Sequence, residues 1–415
     1  MQYDNWELLD FVRTIPNWKE IFKNDYLMDM REDEHFTLID YNQIFTPICH
    51  LTNQCRGVIV DHTKKTIVRR GFYRFFNYGQ PEAASLDLNN LIIEEKIDGS
   101  FIGVFWNEYT NLWQIGTRGT IEGSAPLQTP DVEHNIYTYK ELFLQALLDS
   151  HERHHQKVMA SEFTINLPNV LPTLDKLYSL THDTENLFHY LTRKFDKNKT
   201  YIFELVSKFN RIVVPYKENA IYYLRTIDNN TGKEDQDLDL LDSGYLFTVP
   251  KVYGYKTWEE ILTLSKELPF SEEGYVVSDG KNKVKVKSPK YLIAHRLRGQ
   301  NVPTLKRYVE LMRSGEASEF LSYFPEYSEY YYETVEKYDN LVMTCGMDWS
   351  ILTQEIEKGK LPTRKDQANF ITKESIMPSL MFSLLDKQYP SVKDFFSNLS
   401  TNKLVDLLQQ VKYYS

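Results

Sequence analysis

A lysine attacks an electrophile only as the free amine, which makes Lys96-Ile97-Asp98-Gly99 the stretch with the most chemistry to offer. An ordinary lysine, with a pKa near ~10.4, is neutral in only about one part in a thousand at pH 7.4. Lowering that pKa by two to three units needs neighbouring cations or desolvation worth roughly 3–4 kcal/mol. Lys285 and Lys287 are the neighbours on offer. They alternate with Val284 and Val286, so a strand there turns both ammonium groups to one face, as a phosphate-lined cleft would need.

Neither motif is decisive alone. By residue frequencies a bare KxDG arises by chance in roughly one chain in ten of this length, and a KxK on a strand is more often a solvated face. The weight lies in an ordered set: Arg56-Gly57, Arg74-Phe75-Phe76-Asn77, Glu95 with Lys96 to Gly99, Arg118-Gly119, Phe203-Glu204, Glu273-Gly274-Tyr275-Val276-Val277 and Lys285-Val286-Lys287. GxxxxGK[ST] and a strand-to-helix GxGxxG are absent, so a nucleotide would be held in another way.

Short β segments must position most of this set. GVIVDHTKKTIVRRGFYRFFNYG reads as two β-branched runs around a polar turn, and LIIEEKIDGSFIGVFW as a second such pair. Asp98-Gly99 is a tight-turn signal that places Lys96 at the rim of a sheet. Helical spacing follows over 121–200, in KELFLQALLDSHERHHQ and TENLFHYLTRKF around the loop NLPNVLP, and predicts a helical insertion. Strands return in YIFELV, RIVVPY, AIYYLRTI, GYLFTV, EGYVVSD and KVKVKS. Beyond Tyr291 the pattern is helical in PTLKRYVELMRSG, YSEYYYETVEKYDNLVM, PSLMFSLLDKQY and KLVDLLQQVKYY, with Pro303 at a helix start and Gly315 just past an end.

Composition sets the outer bounds. Of 415 residues, 48 are Lys or Arg and 58 are Asp or Glu, a net charge of −10, and 42% are hydrophobic. That describes a globular chain of two domains with ample core. The acidic balance argues against non-specific coating of nucleic acid, but it hides a local tract: from Lys281 to Val309 nine cations occur without one Asp or Glu. No apolar run reaches the roughly 20 residues of a membrane span, and the opening MQYDNWELLDFVRT lacks signal-peptide character, so a cytoplasmic protein without a membrane partner is expected. Cys49, Cys55 and Cys345 form no CxxC and are expected to be reduced, with Cys345 packed or in a turn. His151, His154 and His155 have zinc-compatible spacing but no fourth ligand nearby, and read as a solvated helix face.

The ordered set resembles the covalent nucleotidyltransferase superfamily of polynucleotide ligases and capping enzymes. CRGVIV with RFFNYG, FELVSKFNRIVVPY and EEGYVVSDGKNKVKVKSPKYL look like its bacteriophage-type RNA ligase 1 branch, which acts in tRNA repair. The resemblance implies an α+β fold: an antiparallel-sheet nucleotidyltransferase domain over 1–295 with a helical insertion, then an all-α C-terminal domain over 296–415 that selects RNA or tRNA. It implies an ATP-dependent RNA ligase that joins 5′-phosphate and 3′-hydroxyl ends, with Lys96 carrying AMP and then passing it to RNA.

By the same resemblance Lys285 and Lys287 contact the α-phosphate, and Arg56, Arg74, Glu95, Gly99 and Arg118 bind nucleotide. Tyr222 or Tyr223 would stack on adenine. Glu204 and Glu273 would hold Mg²⁺ or Mn²⁺, mostly through water, with Glu204 also placed to hold the ribose. The expected partner is single-stranded RNA ends, above all cleaved tRNA, in a host-cell cytoplasm if the source is viral; the oligomeric state stays open, with a monomer as default. A DNA ligase or GTP-using capping enzyme would carry an OB-fold where this chain reads as helices. A catalytically inactive RNA-binding relative would be expected to have lost at least one of Lys96, Glu204, Glu273, Lys285 and Lys287.

Overall fold

The computed structural model describes residues 2–160, 184–237, 246–255, 257–299 and 303–410. The loop NLPNVLP lies outside these. The chain divides into two compact units, Met1–Ile293 and Ala294–Ser415.

In the first unit, β1 (Asp29–Glu32), β2 (Phe36–Asp40), β3 (Arg56–Asp61) and β4 (Thr66–Arg69) form an antiparallel meander. β3 and β4 are the two β-branched runs of the sequence. The Asp61 carboxylate closes their turn by accepting from the Thr63 and Lys64 amides. Ile39, Val58 and Val60 of this meander pack on Phe11, Val12 and Phe22 from the helices Leu8–Thr14 and Trp18–Asn24.

Two five-stranded sheets follow among the described residues. One runs in the order β14 (Val252–Tyr253), β6 (Ile92–Glu95), β15 (Gly274–Ser278), β16 (Lys283–Lys287), β5 (Phe76–Asn77); the β16–β5 pair is parallel and the others antiparallel. The other, wholly antiparallel, runs β13 (Glu234–Asp235), β12 (Ala220–Asp228), β11 (Lys199–Val206), β7 (Ser100–Asn107), β8 (Leu112–Thr117). The period of two decides which side chains go where. Val286 packs with Ile93, Tyr275 and Val277 beside Ile261 of the helix Trp258–Glu267, which sends Lys285 and Lys287 to the opposite face. Likewise Phe203 and Leu205 pack on Phe143, Leu147 and Phe188, leaving Glu204 on the other side.

Two expectations fail here. LIIEEK and SFIGVFW are not a hairpin: β6 and β7 belong to different sheets, and Lys96 to Gly99 is the crossing between them. Gly99 does not take the positive φ of a type I′ turn; it is glycine because an added Cβ would lie 2.5 Å from the Leu205 carbonyl oxygen. Asp98 is not a turn residue either. Its buried carboxylate accepts the Val213 and Val214 amides at 2.8 and 2.9 Å and the Tyr291 hydroxyl at 2.8 Å, fastening the crossing to two distant segments.

The region 121–200 is not helical throughout. β9 (Pro126–Asp131) and β10 (Ile136–Thr138) form a hairpin ahead of the helices Tyr139–Ala160 and Thr184–Thr192. Its prolines and polar residues masked the strand pattern. His151 is buried rather than solvated, at 2% exposure; the His155 side chain lies outside the described residues.

Among its described residues from 303 on, the second unit is all helix. Leu305–Ser314, Ser328–Glu357, Pro378–Leu385 and Thr401–Gln410 match the periodic segments, and Ala317–Tyr323, Arg364–Glu374 and Val392–Asn398 add to them. Thr304, not Pro303, stands at the first cap, while Gly315 ends the helix at φ +74°. Cys345 is packed in this unit's core with Leu341, Leu380 and Phe396. All three cysteines are free. No helix among the described residues is long and apolar enough to cross a membrane.

Gly99→Ala is expected to destabilise the first unit by about 1–3 kcal/mol through overpacking against Leu205. A lowered urea midpoint checks this; an unchanged one would show that the crossing can move away.

Candidate active site

The crossing carries Lys96 into a cleft of about 230 Å³ between the faces of the two five-stranded sheets. β6 supplies Glu94 and Glu95, β15 Val276, β16 Lys283, Lys285 and Lys287, β7 Phe101, β11 Glu204, and β12 Leu224 and Arg225. Arg56 enters from the start of β3, and Phe72 and Phe75 from the segment that joins the meander to β5.

At the centre one carboxylate is shared by two lysines. Glu273, 3% exposed, accepts from Lys96 Nζ at 2.7 Å through Oε2 and from Lys287 Nζ at 2.8 Å through Oε1. Gly274 makes this possible. With φ +135° and a would-be Cβ only 2.1 Å from the Val286 carbonyl, it lets β15 close onto β16. The Gly274 carbonyl also accepts the Lys96 amide at 2.9 Å, and the Glu273 carbonyl accepts the Ser288 amide at 2.9 Å, so both ends of the pair are fixed by backbone.

The electrostatics of the cleft correct the expected environment of Lys96. Burial disfavours its ammonium, but Glu273, Glu204 and Asp98 outweigh that and hold its pKa above the ordinary lysine value. Glu273 is likewise opposed by burial yet held below the usual carboxylate range by Lys96 and Lys287. The lysine pushed down is Lys285, to about 6, by burial and then by Arg56, Lys96 and Lys287. Lys96 and Lys287 share Glu273 and Lys283 pairs with Glu234, whereas Lys285 has no ion pair among the described residues and stands over the Phe75 ring at 4.5 Å. Glu204 is raised to about 7, chiefly by burial and against the pull of Lys96 and Arg56.

The remaining site residues divide. Arg56 lines the cleft, its guanidinium 5.9 Å from the Phe75 ring. Glu95 lines it too, its backbone amide donating to the Lys251 carbonyl. Arg74 and Arg118 stand outside the lining, on either side of Tyr41: Arg74 stacks 4.1 Å from the ring, and Arg118 lies 4.7 Å from it while pairing with Asp40 at 2.8 Å. Tyr223 does not face the cleft. It is opposite Phe203 in the register and packs on Phe203 and Phe247 in the core. Tyr222 is opposite Glu204 but is not among the lining residues.

The apolar wall that could take a base consists instead of Phe75, Phe101, Leu224 and Val276, none of them singled out in the sequence as base-binding. The ion pairs Arg225–Glu94 and Lys283–Glu234 at the cleft were missed as well. They join residues 131 and 49 positions apart, beyond any local pattern.

For a divalent cation, Glu204 offers a hard-oxygen donor that makes no ion pair among the described residues, whereas both oxygens of Glu273 are taken by ammonium groups. The donor set therefore fits a hydrated ion held at Glu204 better than one held by both glutamates. Among the described residues no group of three or more acidic, His or Cys side chains is arranged to hold a metal ion by itself.

The depressed pKa of Lys285 has a consequence for stability. Unfolding restores an ordinary lysine that binds a proton between about pH 6 and 10, so this group makes stability rise with pH across that window. Lys285→Met is expected to raise the unfolding midpoint of the first unit at pH 7 and to flatten that rise, at the expense of activity. A lower midpoint for the variant would contradict the burial of an unmatched amine.

Residues 54–291, more than half of the chain, match the profile of a family described as RNA ligase. A protein of Autographa californica nuclear polyhedrosis virus, named as a bifunctional polynucleotide kinase/RNA ligase, is 32% identical over 288 residues, which are 66% of this chain and 35% of that protein. An RNA ligase of Rhodothermus phage RM378 is 26% identical over 216 residues, 45% of this chain and 40% of that one. The chain thus aligns with well under half the length of either relative. Among solved structures, an archaeal ATP-dependent RNA ligase superposes over 98% of this chain and 99% of its own at 12% identity and a TM-score of 0.41. Since the profile runs from the segment that brings in Arg56, through the sheet crossing at Lys96, to the helix that follows Lys287, the chain belongs to the RNA ligase family.

Proposed function

We propose that this protein is an ATP-dependent RNA ligase that seals 5′-phosphate and 3′-hydroxyl ends through lysyl-AMP and RNA-adenylate, with cleaved tRNA as the natural substrate. The observation that carries the reading is the Lys96–Glu273–Lys287 group beside the unpaired Lys285. An amine and two further lysines converge there in one cleft.

Lys96 Nζ loses its ammonium proton to solvent and attacks the α-phosphorus of ATP; an N–P bond forms as the bond to pyrophosphate breaks, and the nitrogen sheds a second proton to solvent to give the phosphoramidate. Lys287, loosened from Glu273, and Lys285 meet the charge on the α-phosphate oxygens. An arriving phosphate supplies the negative charge that Lys285 lacks, favouring its protonated form. Glu273 keeps Lys96 aimed from below, and the Gly274 carbonyl fixes its backbone. A divalent ion, Mg²⁺ or Mn²⁺, would neutralise phosphate charge and ease pyrophosphate departure when bound at Glu204 through water. The apolar wall of Phe75, Phe101, Leu224 and Val276 takes the base. AMP then passes to the RNA 5′-phosphate, and attack by the 3′-hydroxyl releases it. In this reading the adenylation domain spans 1–295, and the helical domain from 296 on selects the RNA.

Lys96→Ala is expected to abolish labelling by α-³²P-ATP while leaving the fold intact, and Lys287→Ala to slow lysyl-AMP formation at least about a hundredfold, in the range that loss of one charge-stabilising group costs. Label that survives on the Lys96 variant would remove the nucleophile. Because carboxylates raise the Lys96 pKa, the neutral amine grows scarcer below it, so single-turnover adenylation is expected to climb with pH to beyond pH 9. A rate already flat at pH 7 would mean that Lys96 reacts from a different state. Truncation after Gly299 should retain lysyl-AMP formation but lose preference for cleaved tRNA over an unstructured RNA; equal preference would take substrate selection away from the helical unit.

A further inference from the structure

Arg74, Arg118 and the loop that begins at Tyr41 are not used by the cleft, and together they have the makings of a second surface. The loop carries an apolar cluster in the open: Ile44 is 81% exposed, Phe45 63% and Ile48 44%, with Leu27 beside them at 47%. It is nevertheless held in shape. The Asn42 side-chain oxygen accepts the Ile44 and Phe45 amides, the Thr46 hydroxyl donates to the Leu27 carbonyl, and the Thr52 hydroxyl donates to the Pro47 carbonyl. Apolar side chains on a pre-ordered loop lose little further entropy when something docks on them.

At the root of the loop is cationic charge. Tyr41 lies between the Arg74 and Arg118 guanidinium groups, and exposed Arg31 donates to the Gly119 carbonyl next to Arg118. Arg118 is balanced by Asp40, but Arg74 makes no ion pair among the described residues, and its Nη1 is buried without a hydrogen-bond partner. The same is true of Arg56 Nε, on the cleft side. Arg56 and Arg74 thus each keep a guanidinium N–H without a hydrogen-bond partner among the described residues, Arg56 at the cleft and Arg74 beside Tyr41 at the loop.

We propose that the loop 42–48 is a stacking platform for a single-stranded RNA end, with the strand's phosphates on Arg74 and Arg118 and a base on Phe45. The proposal rests on the ligase reading and adds to it where the strand approaches. Alternating phosphate and base contacts are what single-stranded nucleic acid demands: cations that follow the backbone, and exposed rings on which bases stack without sequence preference. A protein partner fits less well, because four apolar side chains fall far short of the roughly 800 Å² per partner of a stable interface.

The test uses the full chain, with Phe45→Ser, Phe45→Trp and Arg74→Gln, and a fluorescent 5′-phosphorylated single-stranded RNA oligomer. Phe45→Ser is expected to weaken RNA binding at least about fivefold, the lower bound for losing one stacked base. It should leave the salt dependence and the rate of lysyl-AMP formation at the unsubstituted values. Phe45→Trp should bind as the unsubstituted protein does. Arg74→Gln should reduce the slope of log affinity against log salt by roughly 0.7, as for one released counterion on a single strand. Normal lysyl-AMP formation with unchanged RNA affinity in Phe45→Ser would overturn the platform alone, as would a change of oligomeric state in that variant. Absence of lysyl-AMP in the unsubstituted protein would overturn the ligase reading, and the platform with it.

Discussion

The active site depends on one buried carboxylate that cannot be left alone. Glu273 is almost wholly out of water, and an uncompensated charge there would cost several kcal/mol. It is ionised because Lys96 and Lys287 each give it an ammonium at hydrogen-bond distance. The compensation also works in reverse: without Glu273 the two lysines would repel, and β6 and β16 could not present them on either side of β15. The same contact that makes the cleft tolerable to fold therefore sets the distance between Lys96 and Lys287. It also holds Lys96 as the ammonium, since Glu273 raises its pKa together with Glu204 and Asp98.

That arrangement requires the two sheets to be locked in register, and the lock lies in four residues. Lys96 to Gly99 leave one sheet and enter the other. Asp98 ties the crossing to Val213, Val214 and Tyr291, segments more than 100 residues away in sequence. Gly99 lets the start of β7 lie against Leu205. Three residues of the run are therefore constrained for different reasons: the ion pair with Glu273 at Lys96, three hydrogen bonds at Asp98, space at Gly99. A buried Arg69 performs a related task behind the cleft, donating to the Gly57 and Thr120 carbonyls and so joining the Arg56-Gly57 strand to the Arg118 turn.

How much of this could be read in the sequence follows from how local each signal is. The strand KVKVK was legible because period-two alternation is written in five consecutive residues, and the C-terminal helices were legible because their apolar stripes recur within a turn or two. The ordered set located Lys96, Glu204, Glu273, Lys285 and Lys287, all of which line the cleft or meet at its centre. What could not be read was pairing at a distance. A turn signal at Asp98-Gly99 looks the same whether the next strand folds back or crosses to another sheet. Tyr222 and Tyr223 differ by one position, and only the register against Glu204 and Phe203 decides which face each takes. The sign of the shift at Lys96 was out of reach for the same reason: Lys285, Lys287 and Glu273 are all distant in sequence, and only the fold sets the carboxylate of Glu273 against the amine.

The charge balance of the cleft gives an acidic chain a local excess of positive charge. Six cations, Arg56, Lys96, Arg225, Lys283, Lys285 and Lys287, face four carboxylates, Glu94, Glu95, Glu204 and Glu273, in a chain that is negative overall. Such a local excess within low-dielectric walls focuses attraction on the cleft rather than over the whole surface. The excess is moreover adjustable. Lys285 near 6 and Glu204 near 7 can each exchange a proton close to neutral pH, so the empty cleft need not carry its full positive charge, and a bound phosphate draws that charge out. A site built only of permanently ionised groups would repel itself when empty; two titrating members reduce that repulsion and restore the charge when the substrate arrives.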